Sequence, residues 1–462
     1  MGIQINGNTD TISAVDGALT VSGAELPTVT NLNATGIVTA TGFVGNITGN
    51  VNATGVSTIA TLNVTQSNPT NLNVSGVTTT ATLRATSIVG VTTAGITTAY
   101  IGSVNDGPIS GVRNKIINGD MRLDQRNSGA SVTPTGDTTY TVDRWPARLS
   151  QASKYSVQQV SDAPAGFVNS LKITSLSSYS VTSTDYFCVD QYIEGLNSSD
   201  LAWGTASAKT VTLSFWVKSS LTGTFGGSVF GYQVGYPSYV FSYSISAANT
   251  WEYKTITISG PTSGTFVSTN AGNIVIEFSF GVGSSLSGTA GTWNNSVLYR
   301  SATGAVSVVG TNAATWQITG VQLESGTVAT PFERRSYGQE LALCQRYCYV
   351  ISGSLQFNGS GYSRYFLHTS SASGALSYIT FPVQMRSTPT LVQKNIAFGS
   401  TIESFNYATA LAMNFTTIAL AEGDVWHSQL TFSGASGLTG AQIGSWRWTN
   451  VPDAYIGFSA EL

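Results

Sequence analysis

From residue 171 onward, apolar and polar side chains alternate in short runs. They read Leu171-Lys-Ile-Thr, Val211-Thr-Leu-Ser-Phe-Trp-Val-Lys218, Trp251-Glu-Tyr-Lys-Thr-Ile-Thr-Ile258, Asn273-Ile-Val-Ile-Glu-Phe-Ser-Phe280 and Trp316-Gln-Ile-Thr-Gly-Val-Gln-Leu323. A period of two puts neighbouring side chains on opposite faces of a strand, so each run predicts a half-buried β-strand. Gly, Ser and Asn between the runs supply the turns. Together they predict a β-sandwich of jelly-roll type over residues 111–335. Strand-like runs resume after Tyr349 and predict a second, distal β-sandwich over 350–462. Its last run, Tyr455-Ile-Gly-Phe-Ser-Ala-Glu-Leu462, puts Ile456, Phe458, Ala460 and Leu462 on one face. Between the two, Ser336-Tyr-Gly-Gln339 has the form of a capping box, and Tyr337, Leu341, Cys344 and Cys348 recur at helical spacing. This predicts one short linking helix over 336–349 in an otherwise all-β chain.

The first hundred residues follow another rule. A unit recurs as Asn31-Leu-Asn-Ala-Thr-Gly36, Asn50-Val-Asn-Ala-Thr-Gly55 and Asn71-Leu-Asn-Val-Ser-Gly76, with a degenerate copy around Gly90. The glycines stand 19, 21 and 14 residues apart, the spacing of a repeat architecture. Each unit carries one thin apolar stripe, too little for a lone chain to offset an ordering entropy of roughly 1–2 kcal/mol per residue. A flexible Thr/Gly-rich linker and an intertwined three-chain shaft both fit. The phased Leu, Val and Ile favour a trimeric repeat shaft over 31–110, preceded by a separate segment, 1–30.

Composition narrows the function classes. Only 9% of the residues are charged, and the formal net charge is −3. That balance provides no field to hold nucleic acid or an anionic membrane surface. No basic region followed by an apolar one opens the chain, so no secretory leader is expected. The three cysteines, Cys188, Cys344 and Cys348, make no disulfide framework and suit a reducing cytosol.

Candidate chemistry is sparse. His368 and His427 stand in no metal-ligand spacing, and Cys344 and Cys348 lack the further ligands zinc requires. No phosphate loop or nucleophile elbow is present. Metal, cofactor and catalytic residues are therefore all expected to be none. The one enzymatic possibility is glycan cleavage by paired carboxylates among Asp185, Asp190 and Glu194. Their segment, Tyr186-Phe-Cys-Val-Asp-Gln-Tyr-Ile, reads instead as a strand with acids at solvated edges. In Asp143-Arg144-Trp145 the arginine either holds a sugar carboxylate or locks the sandwich by pairing with an acid, and the lock is the preferred reading. Arg334 and Arg335 fall at a domain junction, where inter-chain pairs are possible.

Several motifs carry a resemblance. Asn114-Lys-Ile-Ile-Asn-Gly-Asp120, Gln125-Arg126 and Tyr140-Thr-Val-Asp143-Arg144-Trp145 resemble the opening of a carbohydrate-binding-module-like sandwich in phage tail fibre proteins. Val321-Gln-Leu-Glu324-Ser-Gly326, Ala329-Thr-Pro-Phe-Glu333 and Glu340-Leu-Ala-Leu-Cys-Gln345-Arg346-Tyr347 resemble its closing strand and exit helix. Phe381-Pro-Val-Gln-Met385-Arg386-Ser-Thr-Pro389-Thr390 and Ala460-Glu461-Leu462 are similar to the distal domain of such fibres, and the Thr/Gly repeats to fibre proteins of marine cyanobacterial phages. The resemblance implies a homotrimeric structural protein of the virion, assembled in the host cytoplasm and external on the particle. Residues 1–30 would dock it to other virion proteins, and its receptor would be a host cell-surface glycan. A capsid-mounted head fibre or decoration protein is the alternative, and a polysaccharide depolymerase a third reading. Exposed aromatic faces with a few polar groups suit sugars. The candidate glycan residues are therefore Tyr362, Arg364 and Tyr365 in a Gly-rich loop, and Trp426 with His427. Trp446 and Trp448 share a strand face and read as core.

Overall fold

The computed structural model describes residues 113–462 except 234, 353–361, 372, 397–401, 407–410, 414, 435–442 and 449–453, together with two strands near the N-terminus. Those strands, Ile3–Asn6 and Thr11–Ala14, pair antiparallel within a unit spanning Met1–Ala94. The remainder of the expected docking segment and the repeat shaft lie outside the described residues.

The second unit, Gly95–Leu462, holds two β-sandwiches. In the first, one sheet runs in the order Glu252–Ile258, Val211–Ser219, Thr315–Ser325, Ser170–Ser175, Tyr155–Val160. The facing sheet runs Trp293–Asn294, Ser238–Ile245, Gly223–Gly231, Gly272–Val282, Tyr186–Glu194, Trp145–Leu149, Thr139–Val142. The chain passes repeatedly from one sheet to the other, as a jelly roll does. Each alternating run foreseen in the sequence is a strand here, because its inner side chains meet across the layer. Leu213, Phe215 and Val217 from one sheet share a fully buried core with Ile274, Ile276 and Phe278 from the other. Trp316 is the centrepiece. Its ring lies 4.9 Å from Phe280 and 5.8 Å from Phe278, and its indole N–H donates to the Tyr243 hydroxyl at 3.0 Å.

The linking helix spans Tyr337–Gln345. Its capping box is formed: the Gln339 N–H donates to Ser336 Oγ at 3.3 Å, and the Ser336 N–H donates to Gln339 Oε1 at 3.0 Å. Two details differ from expectation. The helix stops before Cys348, which opens the strand Cys348–Ser352. Tyr337 is exposed, and the helix buries Glu340 with Cys344. Glu340 earns burial by accepting the Asn118 N–H at 2.5 Å and contacting Arg335 at 3.3 Å.

The distal sandwich stacks a sheet ordered Cys348–Ser352, Tyr455–Ser459, Thr390–Lys394 against seven strands. The seven run Leu411–Met413, Ile402–Asn406, Ile443–Trp448, Tyr362–Ser371, Gly374–Thr380, His427–Ser433, Thr417–Gly423. Ile456 and Phe458 from the first sheet share a core with Leu367, Ile379, Leu430 and Phe432 from the second, as the final alternating run predicts.

The two sandwiches meet over an unusually polar seam. Glu461 reaches back to Arg126 at 3.1 Å and also pairs with Arg144, and all three side chains are buried. Arg144 lies 3.5 Å from the centroid of the Tyr347 ring and donates to the Tyr192 carbonyl at 2.7 Å. So Arg144 is a lock, with Glu461 as its acid. Trp145 beside it is fully buried and donates to the Asn118 carbonyl at 3.1 Å. Arg386 donates to the carbonyls of Ala460 and Glu461 at 2.6 and 2.8 Å, and Arg346 grips Glu194 through two 2.9 Å contacts. Removing one member of a buried ion cluster leaves its partners desolvated and unpaired, at a cost of about 3–5 kcal/mol. Glu461→Ala is therefore expected to lower unfolding stability by about that much in urea titrations followed by tryptophan fluorescence. A loss below about 1 kcal/mol, the scale of an exposed pair, contradicts this account of the seam.

Candidate functional site

The distal sheet brings an aromatic and polar cluster to one hairpin tip. Strands Thr417–Gly423 and His427–Ser433 are joined by Asp424-Val425-Trp426. The tip is held from within, since the Asp424 carboxylate accepts the N–H groups of Trp426 and His427 at 2.6 and 2.7 Å. Those two bonds, with the nearby imidazole, hold its pKa below the usual aspartate range. The tip is held from outside by Phe381 and Met385, whose N–H groups donate to the carbonyls of Trp426 and Val425 at 2.9 and 2.8 Å. The Trp426 side chain is left standing in solvent, 47% exposed.

Beside the tip lies a shallow cavity of about 320 Å³, lined by Tyr378, Glu422, Asp424, His427 and Gln429 among others. Tyr378 sits directly opposite Gln429 across the ladder, and its hydroxyl accepts from the Gln429 amide at 2.6 Å. Its ring is 67% exposed. Tyr378 thus offers a rigid apolar face to this cavity beside an imidazole, an amide and two carboxylates, and Trp426 stands exposed on the adjoining tip. That mixture can stack on a sugar ring and orient its hydroxyls.

Of the five residues proposed from sequence, the structure places Trp426 and His427 at this tip. Tyr362, Arg364 and Tyr365 belong to the strand Tyr362–Ser371 rather than to a loop. The Tyr-Ser-Arg-Tyr-Phe-Leu stretch favours pleated backbone over a turn. The side chains of Tyr362 and Arg364 lie outside the described residues. Tyr365 is half-buried against the distal core, with its hydroxyl 3.0 Å from that of Tyr349. The strand Ile443–Trp448 carries Trp446 and Trp448, whose side chains are likewise outside the described residues. Tyr378 was missed, although alternation marks it: Ala375, Ser377 and Ile379 are buried, and Tyr378 falls between them on the outer face.

The three acids considered for glycan cleavage are not solvated edges. All three are buried in or beside Tyr186–Glu194. Glu194 is held by Arg346. Asp190 lies opposite Glu277 in the sheet, and burial first, with the Glu277 charge added, raises its pKa against the pull of Arg148. Asp185 goes the other way. Burial pushes its pKa up, but the Thr182 N–H and the hydroxyls of Thr182, Ser150 and Tyr179 all donate to it, and together they hold it at about 2. Burial also pushes the Cys348 thiol up to about 12 and raises that of Cys344, as for inert packed cysteines.

No family model matches the chain, and no curated protein matches it. Solved structures similar to it include the enzymatically active domain of bacteriophage CBA120 tailspike protein 4, at 13% identity and a TM-score of 0.27, covering 46% of this chain. The chain spans only 21% of that tailspike. A CBM4 structure is similar at 16% identity and a TM-score of 0.24, over 45% of this chain and 97% of that one. The tandem CBM22-1–CBM22-2 domain from Paenibacillus barcinonensis Xyn10C is similar at 10% identity and a TM-score of 0.23, over 72% of this chain and 96% of that one.

The Asp185 network has a signed pH consequence. A carboxyl held at about 2 when folded, against roughly 3.9 unfolded, contributes stability that is complete above the unfolded value and lost as pH falls toward 2. Asp185→Asn lacks that contribution. The gap in melting temperature between wild type and variant should therefore be widest at pH 5 and close progressively below about pH 4. An unchanged gap between pH 5 and 2 contradicts the assignment.

Proposed function

We propose that this chain is a non-catalytic fibre subunit of a bacterial virus that binds host cell-surface glycans, with the Tyr378–Trp426–His427 tip as a receptor site. The carrying observation is an exposed Tyr378 face lining a polar cavity, with a second exposed ring, Trp426, on the pinned hairpin tip beside it. Such rings stack on pyranose faces at little entropic cost. The motif resemblance supports placing the chain on the outside of the virion, docked through its N-terminal residues. The repeat's thin apolar stripe supports a homotrimer. Burial of Asp185, Asp190 and Glu194 supports binding without cleavage, because a polysaccharide chain has no path to those carboxyls. Single sugar sites are weak, and three per fibre with many fibres per particle raise avidity by about 10²–10⁴.

The test compares the full-length chain with the double variant Tyr378→Ala/Trp426→Ala. Truncating two stacking rings, each worth about 2 kcal/mol at a binding hot spot, should weaken adsorption to host cells more than tenfold. Melting temperature should not move, since both rings are exposed. Wild-type adsorption by the variant removes the tip as receptor site and leaves a decoration role. Release of reducing ends from host polysaccharide by the wild type removes the non-catalytic assignment. In the same preparation light scattering should give three times the chain mass, and a clean monomer at micromolar concentration overturns the trimeric fibre.

A further inference from the structure

A second groove, sharing no lining residue with the hairpin-tip cavity, lies on the outer face of the five-stranded sheet in the first sandwich. Its volume is about 450 Å³, within the roughly 300–1,000 Å³ of ligand sites, and Phe167, Trp216, Tyr253, Phe332 and Arg334 are among the residues lining it. Trp216 and Tyr253 are direct cross-strand partners with ring centroids 5.3 Å apart. Phe167 and Phe332 meet edge to face at 5.2 Å. Both pairs lie outside the sandwich core, whose inner aromatics are Phe215, Phe278, Phe280 and Trp316. Tyr253, 43% exposed, shows that the wall is open to solvent.

The floor is cut to admit this arrangement. The strand Thr315–Ser325 slips register between Thr319 and Gln322, and within the slip Gly320 adopts φ +63°. A β-carbon there would fall 2.7 Å from the Phe167 ring and 3.2 Å from Trp216. Gly320 therefore serves both the left-handed backbone and the close seating of the rings.

Arg334 supplies the chemistry. Its guanidinium carbon is 4.7 Å from the centroid of Phe167 and 5.7 Å from that of Phe332, which hold it at the rim. Among the described residues it has no ion-pair partner. Neighbouring Arg335, by contrast, is engaged by Glu340 and by the carbonyls of Asn114 and Ile116. A free planar fork set against aromatic faces matches a flat ring bearing a carboxylate: rings for the C–H face, and two N–H donors for the two oxygens. The hairpin-tip cavity has the opposite bias, with Glu422 and Asp424 in its lining.

We propose that this groove is a second saccharide site, selective for a uronic-acid unit through Arg334. The proposal rests on the glycan-binding reading above and assigns an acidic sugar class to a separate place. The test is calorimetric titration of the full-length chain with tetramers of galacturonate, glucuronate and mannuronate, each beside its methyl ester. At least one free acid should bind, its ester at least tenfold more weakly, and added sodium chloride should weaken only the acid. Arg334→Gln and Tyr253→Ala, both at exposed positions, should each cost tenfold or more for the acid, whereas Trp426→Ala leaves it unchanged. The proposal is overturned if no uronate tetramer binds, if ester and acid bind alike, or if Arg334→Gln binds like wild type. Loss of uronate binding in Trp426→Ala also overturns it, by moving the sugar to the hairpin tip. In each case the host-adsorption result for Tyr378→Ala/Trp426→Ala decides separately whether the wider glycan reading stands.

Discussion

Arg126 and Arg144 are buried beside each other, and the carboxylate of Glu461 serves both. Desolvating two guanidinium groups costs several kcal/mol each, so the seam is tolerable only when that carboxylate and the surrounding acceptors are all in place. Asp143 adds a second negative charge 3.8 Å from Arg126, and burial raises its pKa to about 6 against that arginine's pull. The rest of the junction follows from keeping this cluster dry and satisfied. Tyr347 covers Arg144, Tyr140 stands beside Arg126 and donates to the Leu462 carbonyl at 2.7 Å, and Arg386 fixes the backbone on either side of Glu461. The two sandwiches therefore meet through matched charge and hydrogen bonds, where apolar area alone would leave their relative placement unspecified.

A chain with 9% charged residues spends many of them here. Arg126, Asp143, Arg144, Glu194, Glu340, Arg346, Arg386 and Glu461 all lie at or near the seam or the linking helix. All of these except Glu194 are also residues of the motifs by which the sequence resembles fibre proteins. Sequence likeness to a binding family thus rests largely on an internal joint, and the two grooves proposed as sugar sites lie mainly outside those motifs. A recurring motif can report how a fold is held together while leaving its ligand unstated.

Local pattern carried most of the fold. Two-residue alternation located the strands whose inner faces meet at Trp316 and Phe278, and the capping box located the helix start at Ser336. Pattern failed where the constraint was distant. Gly223–Gly231 is not among the alternating runs, yet it is an interior strand of its sheet. Its Gly227 is required because a β-carbon would fall 2.3 Å from the Glu277 carbonyl and 2.5 Å from the Phe241 ring. The acids of Tyr186–Glu194 looked solvated because their partners Arg346 and Arg148 are remote in sequence or on another strand. At the hairpin tip Trp426 was legible as an aromatic beside polar partners. Alternation puts Tyr378 on the outer face, but its partner Gln429 follows only from the strand register.

The position of Tyr455–Ser459 sets the order in which the chain can acquire its shape. This strand lies in the middle of its sheet, between Cys348–Ser352 and Thr390–Lys394, so neither neighbour can pair correctly until it arrives. Arg126 meets Glu461 across a separation of 335 residues. Contacts of such span form late, since loop closure must precede any gain from them. Until Glu461 is made, Arg126 has only Asp143 as counter-charge and Arg144 lacks its acid. The arrival of Glu461 then couples neutralisation of that face to closure of the distal sheet, so that a chain interrupted before it keeps an unneutralised arginine at the joint.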